Sequence, residues 1–285
     1  MRAKSVVSGV VVFGLLLAGS YLLVRYLDQR PIFPLGSRCQ VSGDPVTVRL
    51  RAEQMANAAT IAAVGLRRGL PERAVTVALA TALQESELRN LPGGDRDSVG
   101  LFQQRPSQGW GDPSQLSDPR YAAGAFYDAL VEVPGWETMR ITDAAQAVQR
   151  SAHPEAYQKW ADEAEVLTAA LAGNAPGSLT CRLSVGPAQP GQARAQALEE
   201  AIARDWGDTV GPLSADNDGG VRVPVSDDRS GWRVAHWLVS HAAQYGITDV
   251  TFAGKQWTAS EGEWRTVSGA ATEVRAILDT PAHGD

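Results

Sequence analysis

The chain has 285 residues, 44% of them hydrophobic and 20% charged, with a formal net charge of -6. That is enough apolar material for two compact units plus connecting segments. The lysines and arginines form no block that could follow a phosphate backbone, which argues against a nucleic-acid partner; a neutral or cationic polymer suits this acidic chain better.

Arg2 and Lys4 precede a long apolar run from Val6 to Val24, and Arg25, Asp28 and Arg30 follow it. A run of roughly 20 apolar residues spans a bilayer as a helix. This one ends in Tyr21-Leu22-Leu23-Val24-Arg25 and not in a small-residue cleavage site. The reading is a cytoplasmic tail at 1–4, a retained transmembrane anchor at 5–27 and a spacer at 28–38. The body would then lie on the outer side of the cell membrane, an orientation that the modest charge asymmetry favours only weakly.

Cys39 follows the spacer and Cys181 ends the long helical region; there is no third cysteine. As a pair they would close a long loop, constrain the unfolded chain by about 5 kcal/mol in the entropy model, and require an oxidising compartment. The alternative is two unrelated buried thiols. A bonded sulfur cannot be a nucleophile, which speaks against a cysteine peptidase.

The folded body is expected to start at Cys39. Residues 51–68 place Met55, Ala58, Ala62 and Leu66 at helical spacing, closed by Gly69. A second helix opens at Pro71 and is expected to run from 72 to about 90, with Val75, Leu79, Ala82 and Leu83 on one side, until Pro92-Gly93-Gly94. Residues 98–104 are short and contain glycine, which fits a small β-hairpin. Ser117-Asp118-Pro119 starts a helix over 121–133, stopped by Pro134-Gly135. Two more helices are predicted over 142–151 and 155–171, separated by His153-Pro154. Residues 182–192 read as a linker rich in Pro, Gly, Gln and Ala. Beyond it, helices at 193–206 and 232–245 alternate with strands at 221–225 and 249–253. The expected fold class is therefore mainly α: a transmembrane helix, a helical domain at 39–181 with one small β-hairpin, and a smaller α/β or α+β domain at 193–285.

Glu85 stands out on the second helix. It lies three and seven residues after Ala82 and Ala78, so it borders the apolar stripe, and it falls in the last turns, where the helix dipole disfavours a negative charge. That setting suits a carboxylic acid that delivers a proton. Glu87, two residues on, should face elsewhere. Taken alone, Glu85 reads as a solvated helix-end carboxylate.

Gln84-Glu85-Ser86, then Gly94-Asp95, then Ser98-Val99-Gly100-Leu101-Phe102-Gln103 resembles the goose-type lysozyme and lytic transglycosylase superfamily. The resemblance covers roughly Cys39 to Cys181. The longer string from Gly94 through Ser98 to Gln108-Gly109-Trp110-Gly111, with Ala147 to Ser151, is similar to a version found in actinobacterial cell-wall proteins. It implies Glu85 as the acid, Ser86 as its neighbour, and Asp97, Ser98, Gly100, Leu101, Phe102 and Gln103 along a sugar groove. Phe102 stands where Met is commoner. The usual Ala-Tyr-Asn-Ala-Gly segment is absent; Ala147 to Ser151 takes its place, with Tyr157 as the counterpart of a tyrosine that positions the glutamate or the sugar.

What the resemblance implies is cleavage of peptidoglycan glycan strands by one glutamate, as a lytic transglycosylase or muramidase, without a cofactor. Asp95 and Asp97 are the candidates for a second carboxylate, or they merely cap a Gly-Asp turn. Trp110, Tyr121, Trp136 and Trp160 offer ring faces to sugars or to the core, Trp110 being the groove candidate. Its rival is a non-catalytic glycan binder that recruits other cell-wall enzymes through the C-terminal part. There, Gly231-Trp232, Ala235 to Val239, Gly246-Ile247 and Trp257 resemble a C-terminal domain of secreted proteins without an assigned activity. His236 and His241, five residues apart, are poorly spaced for two ligands on one helical face, so no metal is expected.

Overall fold

The structure, a computed structural model, describes residues 36–184, 191–211, 213–215, 220–268 and 272–279. All of them belong to one compact unit, Pro34–Asp285.

The unit opens with two strands, β1 (Arg38–Ser42) and β2 (Thr47–Arg51). Their alternation turns Cys39, Val41 and Val48 inward. Two alanine-rich helices follow, α1 (Ala52–Arg67) and α2 (Glu72–Ser86). After a loop come α3 (Pro113–Leu116), α4 (Pro119–Val131), α5 (Ile141–Gln149) and α6 (Ala161–Leu171). Asp118 caps α4 by accepting the Arg120 amide at 2.9 Å. Strand β3 (Leu179–Arg182) then returns to pair with β1, making an antiparallel three-stranded sheet of order β2-β1-β3.

Helix α1 is the axis of the unit. It packs against α2, α4 and α6 of its own half, and against both helices of the C-terminal half. Small side chains permit that crowding. A Cβ on Gly65 would sit 2.7 Å from the Tyr127 hydroxyl, which donates to the Ile61 carbonyl at 2.9 Å. Burial raises the Tyr127 pKa, so that phenol stays a donor.

The C-terminal half comprises α7 (Gly191–Trp206), β4 (Ser214–Ala215), β5 (Gly220–Pro224), α8 (Asp228–Tyr245), β6 (Ile247–Phe252), β7 (Lys255–Thr258), β8 (Trp264–Thr266) and β9 (Glu273–Leu278). Its strands form one antiparallel sheet of order β4-β5-β9-β6-β7-β8. Val221, Val223, Val250, Phe252, Trp257, Val274 and Ala276 are buried in it.

The two halves are joined by polar as well as apolar groups. Asp205 on α7 is 0% exposed. Its carboxylate receives the Trp237 indole N–H at 2.8 Å and the Thr60 hydroxyl at 3.0 Å, and the Arg120 guanidinium lies against its other oxygen. A buried carboxylate is tolerable only when paired in this way. The indoles of Trp257 and Trp264 donate to the Cys181 and Leu179 carbonyls of β3 at 3.0 and 2.8 Å. Arg229 and Arg233 both donate to the Ala172 carbonyl, at the end of α6.

The expected fold class needs correction. Among the described residues there are eight helices and two antiparallel sheets, of three and six strands, where the expectation was one hairpin in the helical domain and two strands in an α/β or α+β C-terminal domain. The hairpin at 98–104 shrinks to isolated bridges, Val99 with Gln104 and Leu91 with Gly100. The membrane reading is corrected too. No helix among the described residues is long and apolar enough to cross a membrane. The longest, α8, has 18 residues and carries Asp228, Arg229 and Arg233. The tail at 1–4, the anchor at 5–27 and most of the spacer lie outside the described residues, so no single-pass localisation is shown. Of the linker, 185–190 also lies outside them.

The cysteine pairing is present: Cys39 and Cys181 face each other in register across β1 and β3 and form a disulfide, both buried.

His236 and His241 on α8 are buried, and desolvation lowers both imidazoles to about 4. The unfolded chain would bind protons near pH 6.5 that the folded chain refuses. Stability should hold above that pH and fall as the pH drops from 6.5 towards 4, by up to about 2 kcal/mol per histidine at pH 5. Urea titrations at pH 7 and pH 5 check this: the loss should shrink in His236→Asn and His241→Gln.

Candidate active site

The end of α2 is closed by its own backbone and by amides of α1. Glu87 and Leu88 take left-handed conformations, φ 54° and 59°. Their amides bond back to Leu83 and Ala82 at 3.0 and 3.1 Å, which ends the helix at Ser86 instead of near residue 90. Each left-handed residue with a Cβ costs roughly 1–2 kcal/mol. That cost is offset in two ways. Leu88 becomes fully buried. Two amides on α1 capture the freed carbonyls, Gln54 at Glu87 (2.7 Å) and Asn57 at Leu88 (2.8 Å).

Glu85 therefore sits one residue before the stop, partly buried. The Tyr157 hydroxyl donates to its Oε1 at 2.7 Å, while Oε2 has no hydrogen-bond partner among the described residues. Tyr157 is fully buried, and burial, with a contribution from the Glu85 charge, raises its pKa against the opposing effect of the Ser151 hydroxyl. The phenol thus stays a donor and holds the Glu85 carboxyl group. One residue earlier, Gln84 Oε1 accepts the Trp160 indole N–H at 3.1 Å. The turn at 157–160 consequently covers both side chains at the helix end. Glu87 is exposed and pairs with Arg89 at 3.4 Å, away from Tyr157.

Ser86 is buried, and its hydroxyl lies 2.7 Å from the Leu101 carbonyl, which pins the 98–104 loop to the helix end. From the other side, Gln149 on α5 donates to the Phe102 carbonyl at 2.8 Å. Ser151, next to the α5 terminus, exchanges hydrogen bonds with Gln146.

Several expected groove residues have other duties. Leu101 and Phe102 are 0% exposed, and Phe102 stacks on Phe126 at 4.8 Å, so both serve the core and offer a ligand no surface. Ser98 is buried as well. Asp97 is held well below the usual carboxylate range, first by the Ser107 amide (2.7 Å), then by Arg105 and the Ser107 hydroxyl. It staples the loop and is not available as a second catalytic carboxylate. Asp95 is exposed, its carboxylate 3.9 Å from Arg96. Gln103 folds over Gly94 and donates to the Gly100 carbonyl at 3.1 Å. Trp110 is partly exposed, its carbonyl held by the Tyr121 hydroxyl at 3.3 Å; Trp136 is buried and Trp160 partly exposed.

Sequence reasoning missed Gln54 and Asn57. Their signal was two amides at successive turns on the buried side of an alanine-rich helix. It also missed Thr60, Asp205 and Arg120. Thr60 lies 3.3 Å from His241 Nε2, an arrangement that in composition suggests a nucleophile and its base. Its geometry excludes that, because the Thr60 hydroxyl donates its proton to Asp205 and because Thr60, Asp205 and His241 are all buried.

Among the described residues no group of three or more His, Cys, Asp or Glu could hold a metal. No protein-family model matches the chain, and no curated protein matches it.

The glycines of the loop separate two kinds of constraint. Gly100 has φ +79°, and a Cβ there would lie 2.3 Å from the Leu116 carbonyl oxygen, which is backbone; at Gly94 it would meet only the tip of Gln103. Gly100→Ala should cost on the order of 1–3 kcal/mol, read as a lowered Tm. Gly94→Ala should displace Gln103 and leave Tm nearly unchanged.

Proposed function

We propose that the chain cleaves the glycan strands of peptidoglycan, with Glu85 as general acid and then base. The observation that carries this reading is the Tyr157 hydrogen bond to Glu85 Oε1, which fixes the carboxyl group and leaves Oε2 for a ligand. The sequence around it, with its resemblance to the lysozyme and transglycosylase superfamily, supports the same substrate class.

The chemistry is as follows. Protonated Glu85 gives its proton to the glycosidic oxygen, the bond to the anomeric carbon breaks, and the sugar passes through an oxocarbenium-like state. The carboxylate then takes a proton from the muramic acid 6-hydroxyl, whose oxygen bonds to the anomeric carbon, and an anhydro sugar results. Asp97 is committed to Arg105 and Ser107, which favours this one-glutamate route over activation of water by a second carboxylate. Tyr157 positions the acid.

Incubating the protein with peptidoglycan and analysing the products by mass spectrometry tests the proposal. Anhydro muropeptides should appear, and Glu85→Gln should reduce their release by about 10²–10⁴-fold, whereas Glu87→Gln should not. Tyr157→Phe should lower kcat by about 10- to 100-fold with KM little changed. Glycan retained equally by wild type and Glu85→Gln, with no product from either, would identify a binder instead.

A further inference from the structure

The turn that delivers Tyr157 to Glu85 also carries a cation. Lys159 Nζ lies 5.1 Å from the centroid of the Trp160 ring, and the same ring is anchored by its indole N–H to Gln84. Lys159 is exposed and has no carboxylate partner among the described residues. Arg140 is engaged by Asp143 and Glu155, Arg105 by Asp97, and Arg89 by Glu87. A lysine over an indole is held by the ring quadrupole and keeps its charge directed outward. Gln84 and Glu85 are neighbours on one helix, and the turn that carries Lys159 hydrogen-bonds to both, through Trp160 and Tyr157.

We propose that Lys159, seated on Trp160, is a specificity-determining residue that binds a carboxylate carried by the glycan next to the bond to be cut. The inference rests on the reading of Glu85 given above. Two sources would supply such a carboxylate, the lactyl group of muramic acid in strands without peptides and the peptide stems in strands that bear them. A neutral chito-oligosaccharide supplies none.

Binding is measured by calorimetry with the Glu85→Gln protein, alone and combined with Lys159→Met, and turnover with wild type and Lys159→Met. The ligands are peptide-free strands, stem-bearing strands and the chito-oligosaccharide. Lys159→Met should weaken binding and raise KM by about three- to fivefold on whichever carboxylate-bearing strand is the source. It should leave kcat, and every value for the neutral oligosaccharide, unchanged. Trp160→Phe should lose part of the same effect, and Lys255→Met, whose ammonium bonds to Thr266 in the far sheet, none. Equal effects on charged and neutral ligands, or no effect on either, would overturn the role of Lys159. Absence of turnover with all ligands would defeat the catalytic proposal, while the binding measurements would still decide this one.

Discussion

The premature stop of α2 is the constraint on which the site depends. If the helix continued to residue 90, as its composition allows, Leu88 would follow the helical path and Ser86 would no longer end the helix. The left-handed step at Glu87 and Leu88 instead drives Leu88 into the core and leaves two carbonyls that Gln54 and Asn57 of α1 collect. Each such bond contributes about 1 kcal/mol, comparable to the cost of the backbone it stabilises. Glu85 is held at the helix end by consequence, with Ser86 tying the 98–104 loop to the same end.

The C-terminal half takes part in this arrangement through α1. Thr60 lies on the same helix as Gln54 and Asn57, and it donates to the Asp205 carboxylate that also binds Trp237 and Arg120. A helix gripped by its capping amides at one end and by a buried ion pair at its middle has little freedom to shift. The disulfide fixes β3 against β1, and the Trp257 and Trp264 indoles fasten β3 to the second sheet. The histidines and tryptophans of α8 are thus structural, and their inward stripe is the seam between the halves.

Much of the helical layout was legible because apolar residues recur at three and four positions and because Gly69, Asp118-Pro119 and Pro134-Gly135 punctuate it. The cysteine pair and the Glu85 to Tyr157 association were also readable, the first from placement and the second from resemblance. Strands β5 and β6 were expected close to where they lie, but the other strands were not. β1 and β2 are five residues each, and only alternate positions such as Cys39, Val41 and Val48 are apolar, a signal easily lost in a spacer. In β7 and β8 the tryptophans look like isolated aromatics until their indoles are seen to reach β3. The end of α2 was misplaced because its stop lies in distant amides and not in a local glycine. Leu101 and Phe102 were assigned to a groove by motif, whereas two adjacent apolar side chains in a short loop are better explained by core packing.

The central claim is that a buried phenol holds Glu85 by a hydrogen bond. Infrared difference spectra of wild type minus Glu85→Gln isolate the stretching bands of that one carboxyl group, and the same difference recorded in a Tyr157→Phe background shows whether the bond exists. The bands should move when the phenol is removed, since a 2.7 Å hydrogen bond to Oε1 is lost. Identical band positions in the two backgrounds would contradict the account.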